Sequence, residues 1–166
     1  MNPRITLVPI TDPEDFSFYR ELVCHEDIMD MNMGRVFTQE EAEGYFAHIL
    51  SYRKSHPASG TYKIMKQYDG RLIGAASLWE NESEAEVDYM LLPEYWHQGY
   101  ATEAVALLEA NATSLPHIRT LKGITDPANI PSQRVLIKNG FTLSRTELLE
   151  DGSQVHIFTK NIKGKE

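Results

Sequence analysis

The chain has 166 residues, with 24 acidic against 16 basic side chains and a formal net charge of −8. That balance argues against a broad electrostatic grip on DNA or RNA and favours cationic partners, such as amines, at encounter. The length suits one domain that needs no staples, and a lone cysteine, Cys24, excludes an internal disulfide and fits a reducing cytoplasm.

Membrane partners are not expected either. No stretch approaches a transmembrane helix, and Met1-Asn2-Pro3-Arg4 lacks the apolar region of a signal peptide. Cys24-His25-Glu26 is only an adjacency, so a structural thiol is the expectation for Cys24.

In chain order, Arg4 to Ile10 alternates as a short strand. Thr11-Asp12-Pro13-Glu14 reads as a helix start, with a capping side chain, Pro in the first turn and acid near the positive end of the dipole. Phe16, Tyr19 and Val23 supply that helix's apolar stripe. His25 to Phe37 reads as loop or irregular helix, with Met31, Met33 and Phe37 as unusual hydrophobes for a loop. A second helix opens at Thr38, where Thr38 and Glu41 form a capping box, and His56-Pro57 ends it.

A meander follows: Thr61 to Tyr68, the two-residue turn Asp69-Gly70, and the returning strand Arg71 to Trp79. The polar turn Asn81 to Glu84 leads into a strand over Ala85 to Leu92. Pro116 closes the next helix, Thr120 to Thr125 is a further strand, and Asp126-Pro127-Ala128-Asn129 turns into a helix capped by Gly140. Two strands, Thr142 to Leu149 and Gln154 to Asn161, meet at Asp151-Gly152, and Lys163-Gly164-Lys165-Glu166 is expected to fray. This order predicts an α+β fold, a mainly antiparallel twisted sheet of about seven strands flanked by about four helices, in a single domain over 1–166.

The most informative stretch joins a strand to a helix. Pro93 stops the strand, and after Gly99 the residues Ala101, Ala104, Val105, Leu108 and Ala112 recur at helical spacing. The first turn of such a helix offers unpaired backbone N–H groups and the positive end of the dipole. Gly99 and Ala101 leave room there for an anion such as a pyrophosphate. Tight packing also explains small residues at a helix start.

Trp96-His97-Gln98-Gly99-Tyr100-Ala101-Thr102-Glu103-Ala104 resembles the acyl-CoA signature of the GNAT superfamily of N-acyltransferases, in particular its ribosomal-protein-alanine acetyltransferase-like branch. Asn129-Ile130-Pro131-Ser132, followed by Lys138-Asn139-Gly140-Phe141, resembles a second element of that branch. The resemblance covers about half of the chain, from Gly70 to Phe141, and implies the GNAT fold with its sheet splayed after the fourth strand, just beyond Leu91. It further implies that acetyl-CoA is the co-substrate. Its pantetheine arm would bond the backbone of Met90, Leu91 and Leu92, with Gly123 to Thr125 as the other wall. Its pyrophosphate would meet the turn of Trp96, His97, Gln98, Gly99, Tyr100, Ala101 and Thr102.

By the same resemblance Asn129 fits a pantetheine-contacting amide. Ser132 fits the group that supports the departing thiolate, because the Tyr that many members place later in this helix is Leu136 here. Ser132 also reads as an ordinary first-turn serine. His97 stands where Gly is usual: either the turn tolerates a side chain, or the His adds a phosphate contact.

The acceptor must lose a proton, since a lysine-like amine has a pKa of ~10.4. Glu86, where the branch usually has Glu, is the favoured base, acting directly or through a water. Asp88 lies on the same face two residues on, where Gly is usual, and carboxylates this close raise one another's pKa. Both read equally well as solvent-facing residues of a sheet edge. Among six histidines no pair has ligand spacing with a carboxylate, so no metal is expected.

For the acceptor pocket the resemblance points to Met31, Met33, Arg35, Phe37 and Trp79, with Glu147 and Glu150 as anchors for a cation. Core packing accounts for at least half of the Met and aromatic residues among them. The expectation is an acetyl-CoA-dependent N-acetyltransferase, monomer or homodimer, moving acetyl directly to a small amine or a protein N-terminal amine. The alternatives are a non-catalytic acyl-CoA sensor and a thioester hydrolase.

Overall fold

The computed structural model describes residues 3–32 and 34–163. Met33 and the tail at Gly164-Lys165-Glu166 lie outside the described residues, as do Met1 and Asn2. Strand β1 (Ile5–Pro9) leads through a 3-10 turn, Pro13–Asp15, into α1 (Phe16–Val23). The cap of that turn is Asp12, whose Oδ1 accepts the Glu14 N–H at 2.9 Å. Helix α2 (Glu26–Asn32) occupies part of the stretch read as loop or irregular helix, and buries Ile28 and Met29.

Helix α3 (Gln39–Ser55) opens on the expected capping box. Thr38 Oγ1 accepts the Glu41 N–H at 3.1 Å, and Glu41 Oε1 accepts the Thr38 N–H at 3.0 Å. Such a cap is worth about 1 kcal/mol. The chain continues as β2 (Gly60–Lys66), β3 (Leu72–Asn81), β4 (Glu84–Leu91), α4 (Tyr100–Thr113), β5 (Thr120–Thr125), α5 (Ile130–Lys138), β6 (Thr142–Leu148) and β7 (Gln154–Asn161). Among the described residues there are five α-helices where about four were expected, the addition being α2.

The seven strands form one sheet in the order β1-β2-β3-β4-β5-β7-β6, antiparallel except between β4 and β5. Alternation along β4 sends Val87 and Leu91 into a core under α4 and α5, with Leu108, Leu121 and Phe158. Met90 and Leu92 turn to the other face and pack on a second core of Leu22, Ile28, Ile49 and Ala75 under α1 to α3. Burying one such aliphatic side chain contributes about 1.5–3 kcal/mol.

One pairing decides where a ligand can lie. Strands β4 and β5 pair only at Glu84–Thr120, Ala85–Leu121 and Glu86–Lys122. The splay therefore opens after Glu86, not just beyond Leu91. Each strand follows its antiparallel partner: β4 stays on β3 through Leu91, while β5 turns with β7 through Thr125. Among the described residues no helix is long and apolar enough to cross a membrane.

Candidate active site

The link from β4 to α4 is built around left-handed backbone. His97 has φ 61° and Gly99 φ 86°, a region easy for Gly and costly for other residues. That is a physical reason for Gly to suit position 97; here the turn tolerates a side chain at some cost in strain. Left-handed residues among extended or right-handed ones aim successive amides to one side and form an anion-receiving concavity. The first α4 bond onto the turn is Glu103 N–H to Gly99 O at 3.1 Å, so the amides of Tyr100, Ala101 and Thr102 have no acceptor within the helix.

Arg4 buttresses this turn. Its Nη2 donates to Gln98 O at 2.9 Å, its Nε to Glu103 at 2.6 Å, and its guanidinium lies over the Tyr100 ring, 4.2 Å from the centroid. Gln98 itself donates Nε2 to Glu94 O at 2.8 Å.

A cavity of about 470 Å³ runs from the turn along the gap. Met90, Leu91, Trp96, His97, Gly99, Tyr100, Ala101 and Thr102 line it from β4 and α4, and Asn129 and Ser132 from α5. Two residues expected at the cofactor are not on its wall. Leu92 gives its N–H to Ile73 O at 2.9 Å, and Gln98 is tied to Glu94 and Arg4. Ladder bonding alternates, so with Leu92 turned to β3 it is the Leu91 backbone that faces the gap. Its carbonyl accepts from Trp96 Nε1 at 2.8 Å.

Arg134 and Lys138, one turn apart on α5, add two cations to the cavity wall. The sequence reading gave neither a role; their i, i+4 spacing in the helix that carries Ser132 was the available signal.

A smaller recess of about 40 Å³ lies where β4 and β5 part, lined by Val87, Asp88, Tyr89, Gly123, Ile124, Thr125 and Ser132 among others. This is the expected second wall. A Cβ at Gly123 would sit 2.8 Å from both δ-carbons of Leu136, so glycine is what lets α5 lie close on β5. Thr125 Oγ1 is buried without a partner, leaving a polar atom on that wall for an amide-bearing ligand. Tyr89 and Ser132 border both spaces, and their hydroxyl oxygens are 2.9 Å apart. Burial pushes the Tyr89 phenol up to about 12, against a lowering by the bond with Ser132. Asn129 caps α5, its Oδ1 accepting the Ser132 N–H and its Nδ2 donating to Met31 O, both at 3.2 Å. Turn amides without helical acceptors, two cations, an open strand edge and an orphaned hydroxyl together fit an acyl-CoA.

The carboxylates occupy the other face of β4. Glu86 and Asp88 share it, but with β3 alongside rather than at a free edge, opposite Trp79 and Ser77. Trp79 Nε1 donates to Asp88 Oδ2 at 2.9 Å. Desolvation by the surrounding protein pushes Asp88 up to about 6; the charge of Glu86 adds to this, and bonds from Trp79 and Ser77 oppose it. Asp88 is nevertheless exposed to solvent, although protein surrounds its carboxyl. Burial also raises Glu86, with Lys122 opposing. The mutual repulsion expected of the pair is present at Asp88 but ranks behind desolvation. Asp88 borders the recess, whereas Glu86 lies where β4 and β5 still pair.

Aromatic rings cluster on this side of the sheet. Trp79 stacks on His48 at 5.6 Å and meets Tyr52 edge-on at 4.7 Å, while Phe37 lies 5.6 Å from Tyr45. The Tyr45 phenol is raised by burial first, then by Asp88 and Glu86. Among the other acceptor candidates, Met31 lines the larger cavity, and Arg35 is paired with Glu41 at 2.7 Å. Glu147 pairs with Arg145 at 2.7 Å on the exposed strand β6, and Glu150 is exposed beyond it. Cys24 is half-buried, its Sγ 3.6 Å from Phe37 O, a structural setting.

Comparison with known proteins accords with this geometry. Residues 4–142 match the family model for an acetyltransferase (GNAT) domain. Two Bacillus subtilis proteins, both named as uncharacterized N-acetyltransferases, are similar in sequence. YnaD is 28% identical over 130 residues, 76% of this chain and 73% of its own length. YoaA is 29% identical over 69 residues, 42% of this chain and 39% of its own length. A solved Salmonella typhimurium acetyltransferase, described as modifying the N-terminal serine of ribosomal protein L7/L12, superposes with a TM-score of 0.82 over 98% of this chain and 97% of that one, at 18% identity. With its family model spanning 4–142, the chain belongs to the GNAT acetyltransferase family.

Proposed function

We propose that this chain, an acetyl-CoA-dependent N-acetyltransferase by family, acetylates a primary amine that is a cation in solution, and that Asp88 takes up the amine's proton. The observation that carries this reading is the placement of Asp88: its carboxylate accepts from Trp79 Nε1 at 2.9 Å and borders the recess beside Ser132, and desolvation pushes it up to about 6. A general base works best with a pKa near the working pH. The two carboxylates draw in an ammonium, and the faces of Trp79 and Tyr45 suit it. Glu86, farther from the recess, holds the ammonium on approach.

Bound acetyl-CoA supplies the activated acetyl group. The turn amides from Gly99 to Thr102, with Arg134 and Lys138, hold its phosphates, and Ser132 supports the departing sulfur. Residues 1–166 act as one N-acetyltransferase domain, and the free thiol of Cys24 suits a reducing cytoplasm.

Two carboxylates on one face of β4 favour an acceptor with a second cationic group. The test follows free thiol from acetyl-CoA with monoamines, diamines of matched length and short peptides with free N-termini. Amine-dependent release, faster for diamines than for matched monoamines, is expected. Release without amine would make the protein a thioester hydrolase, and tight CoA binding without release would make it a sensor.

A further inference from the structure

We propose that Tyr89 is a positioning residue that aims the Ser132 hydroxyl at the departing sulfur. The inference rests on the reading of Ser132 given above. Leu136 is 2% exposed and packed on Gly123, so its position on α5 presents no acid to the recess. Tyr89 reaches the same space from the opposite wall. Its hydroxyl lies 2.9 Å from Ser132 Oγ, at the point where the large cavity and the recess adjoin.

The direction of this bond follows from chemistry. A phenol is the better donor and an aliphatic alcohol the better acceptor, so Tyr89 O–H donates to Ser132 Oγ. The serine's own proton is then left to point into the cavity. A first-turn serine would otherwise be free to bond its local backbone. Burial that raises the phenol to about 12 keeps Tyr89 protonated at every working pH, so it stays a donor.

In the transfer the neutral amine nitrogen forms a bond to the acetyl carbonyl carbon, the C–S bond breaks, and its electron pair stays on sulfur. Ser132 O–H donates a hydrogen bond to that thiolate; neither hydroxyl loses its proton. The proton the ammonium gives up before attack resides on Asp88, and the second proton, shed by nitrogen as the amide forms, passes through solvent to the thiolate on release. Sequence alone hid this role, because Tyr89 alternates in step with the core residues Val87 and Leu91.

The test uses Tyr89→Phe, which removes one oxygen and keeps the ring, with Ser132→Ala and the double variant. Each single change should lower kcat roughly tenfold, below the usual range for acid catalysis because a thiolate leaves readily. The double variant should be no slower than Ser132→Ala, since one hydroxyl acts through the other. Calorimetry with CoA and desulfo-CoA supplies a readout apart from turnover. In the wild type, CoA should gain affinity over desulfo-CoA as pH rises through the thiol range, about 8.5. Tyr89→Phe should lose that gain while binding desulfo-CoA normally. Additive losses in the double variant, or a gain that survives Tyr89→Phe, would overturn the positioning role. An unchanged kcat in Ser132→Ala would instead remove the Ser132 reading itself.

Discussion

An acetyl transfer that begins from an ammonium leaves a signature in its pH profile. With Asp88 at about 6, the ionised fraction is about 0.1 at pH 5 and about 0.9 at pH 7. For a lysine-like amine, kcat/KM should rise about tenfold per unit below pH 6 and then level. Asp88→Asn removes the base, so the variant uses only amine that is already neutral. At pH 7 that is roughly 1 part in 2,500 for a pKa of ~10.4. Its rate should climb about tenfold per unit up to pH 10, with no plateau. The ratio of wild type to variant then reaches about 10³ at pH 7 and shrinks to a few-fold by pH 10. Thiol release across pH 5 to 10 reads both curves. A plateau that survives Asp88→Asn but vanishes in Glu86→Gln would move the base to Glu86. A wild-type rate that climbs without any plateau would refute base catalysis by either carboxylate.

Thermal unfolding reads the same pKa without turnover. The folded value of Asp88, about 6, lies above its ordinary 3.8. Its protonated form therefore stabilises the fold: the contribution is complete below about pH 4 and is lost as pH rises through about 6. Asp88→Asn keeps a neutral acceptor for Trp79 at every pH, so its Tm relative to wild type should increase between pH 4 and 7. A constant difference across that window would mean the carboxyl is not raised.

Two further substitutions probe the scaffold. Gly99→Glu brings a Cβ 3.1 Å from Arg4 Nη2 at φ 86° and a negative charge beside the phosphate turn; CoA affinity by calorimetry should fall at least about tenfold, and retained affinity would place the phosphates elsewhere. Gly74→Ala puts a Cβ into Met90 O, within the β3–β4 pairing. It should cost about 3 kcal/mol and lower Tm by about 6–12 °C, whereas an unchanged Tm would mean the two strands part easily.

Much of the scaffold was legible because its signals are local. The Thr38–Glu41 box and the change of period at Gly99 each depend on residues a few positions apart, whereas the turn expected over the two residues Asp69-Gly70 is a longer connection over 67–71, because β2 ends at Lys66 and β3 begins at Leu72. Helix α2 was harder to read: it has seven residues, and what holds it is Ile28 and Met29 packing into the core of α1 and α3. The start of the splay was misplaced because it depends on how far β5 follows β7, which no motif in β4 reports. Residues at the candidate site divide in the same way. Most of the turn and Ser132, which line the larger cavity, belong to contiguous motifs. Tyr89 and the Trp79–Asp88 bond depend on which elements face each other, and cross-strand register is not written in either strand alone.

The buttress at Arg4 has a kinetic consequence. Its bonds to Gln98 and Glu103 span 94 and 99 residues, so they form only after most of the chain has been made and the first strand has taken its place at the edge of the sheet. Contacts of such long sequence separation require their loop entropy to be met first, and they come late in folding. The turn at 97–102 is thus among the last parts of the protein to acquire its final shape. A chain that has formed its helices and central strands but has not docked β1 would have the signature sequence without a working turn, which makes CoA binding a report on the completion of folding.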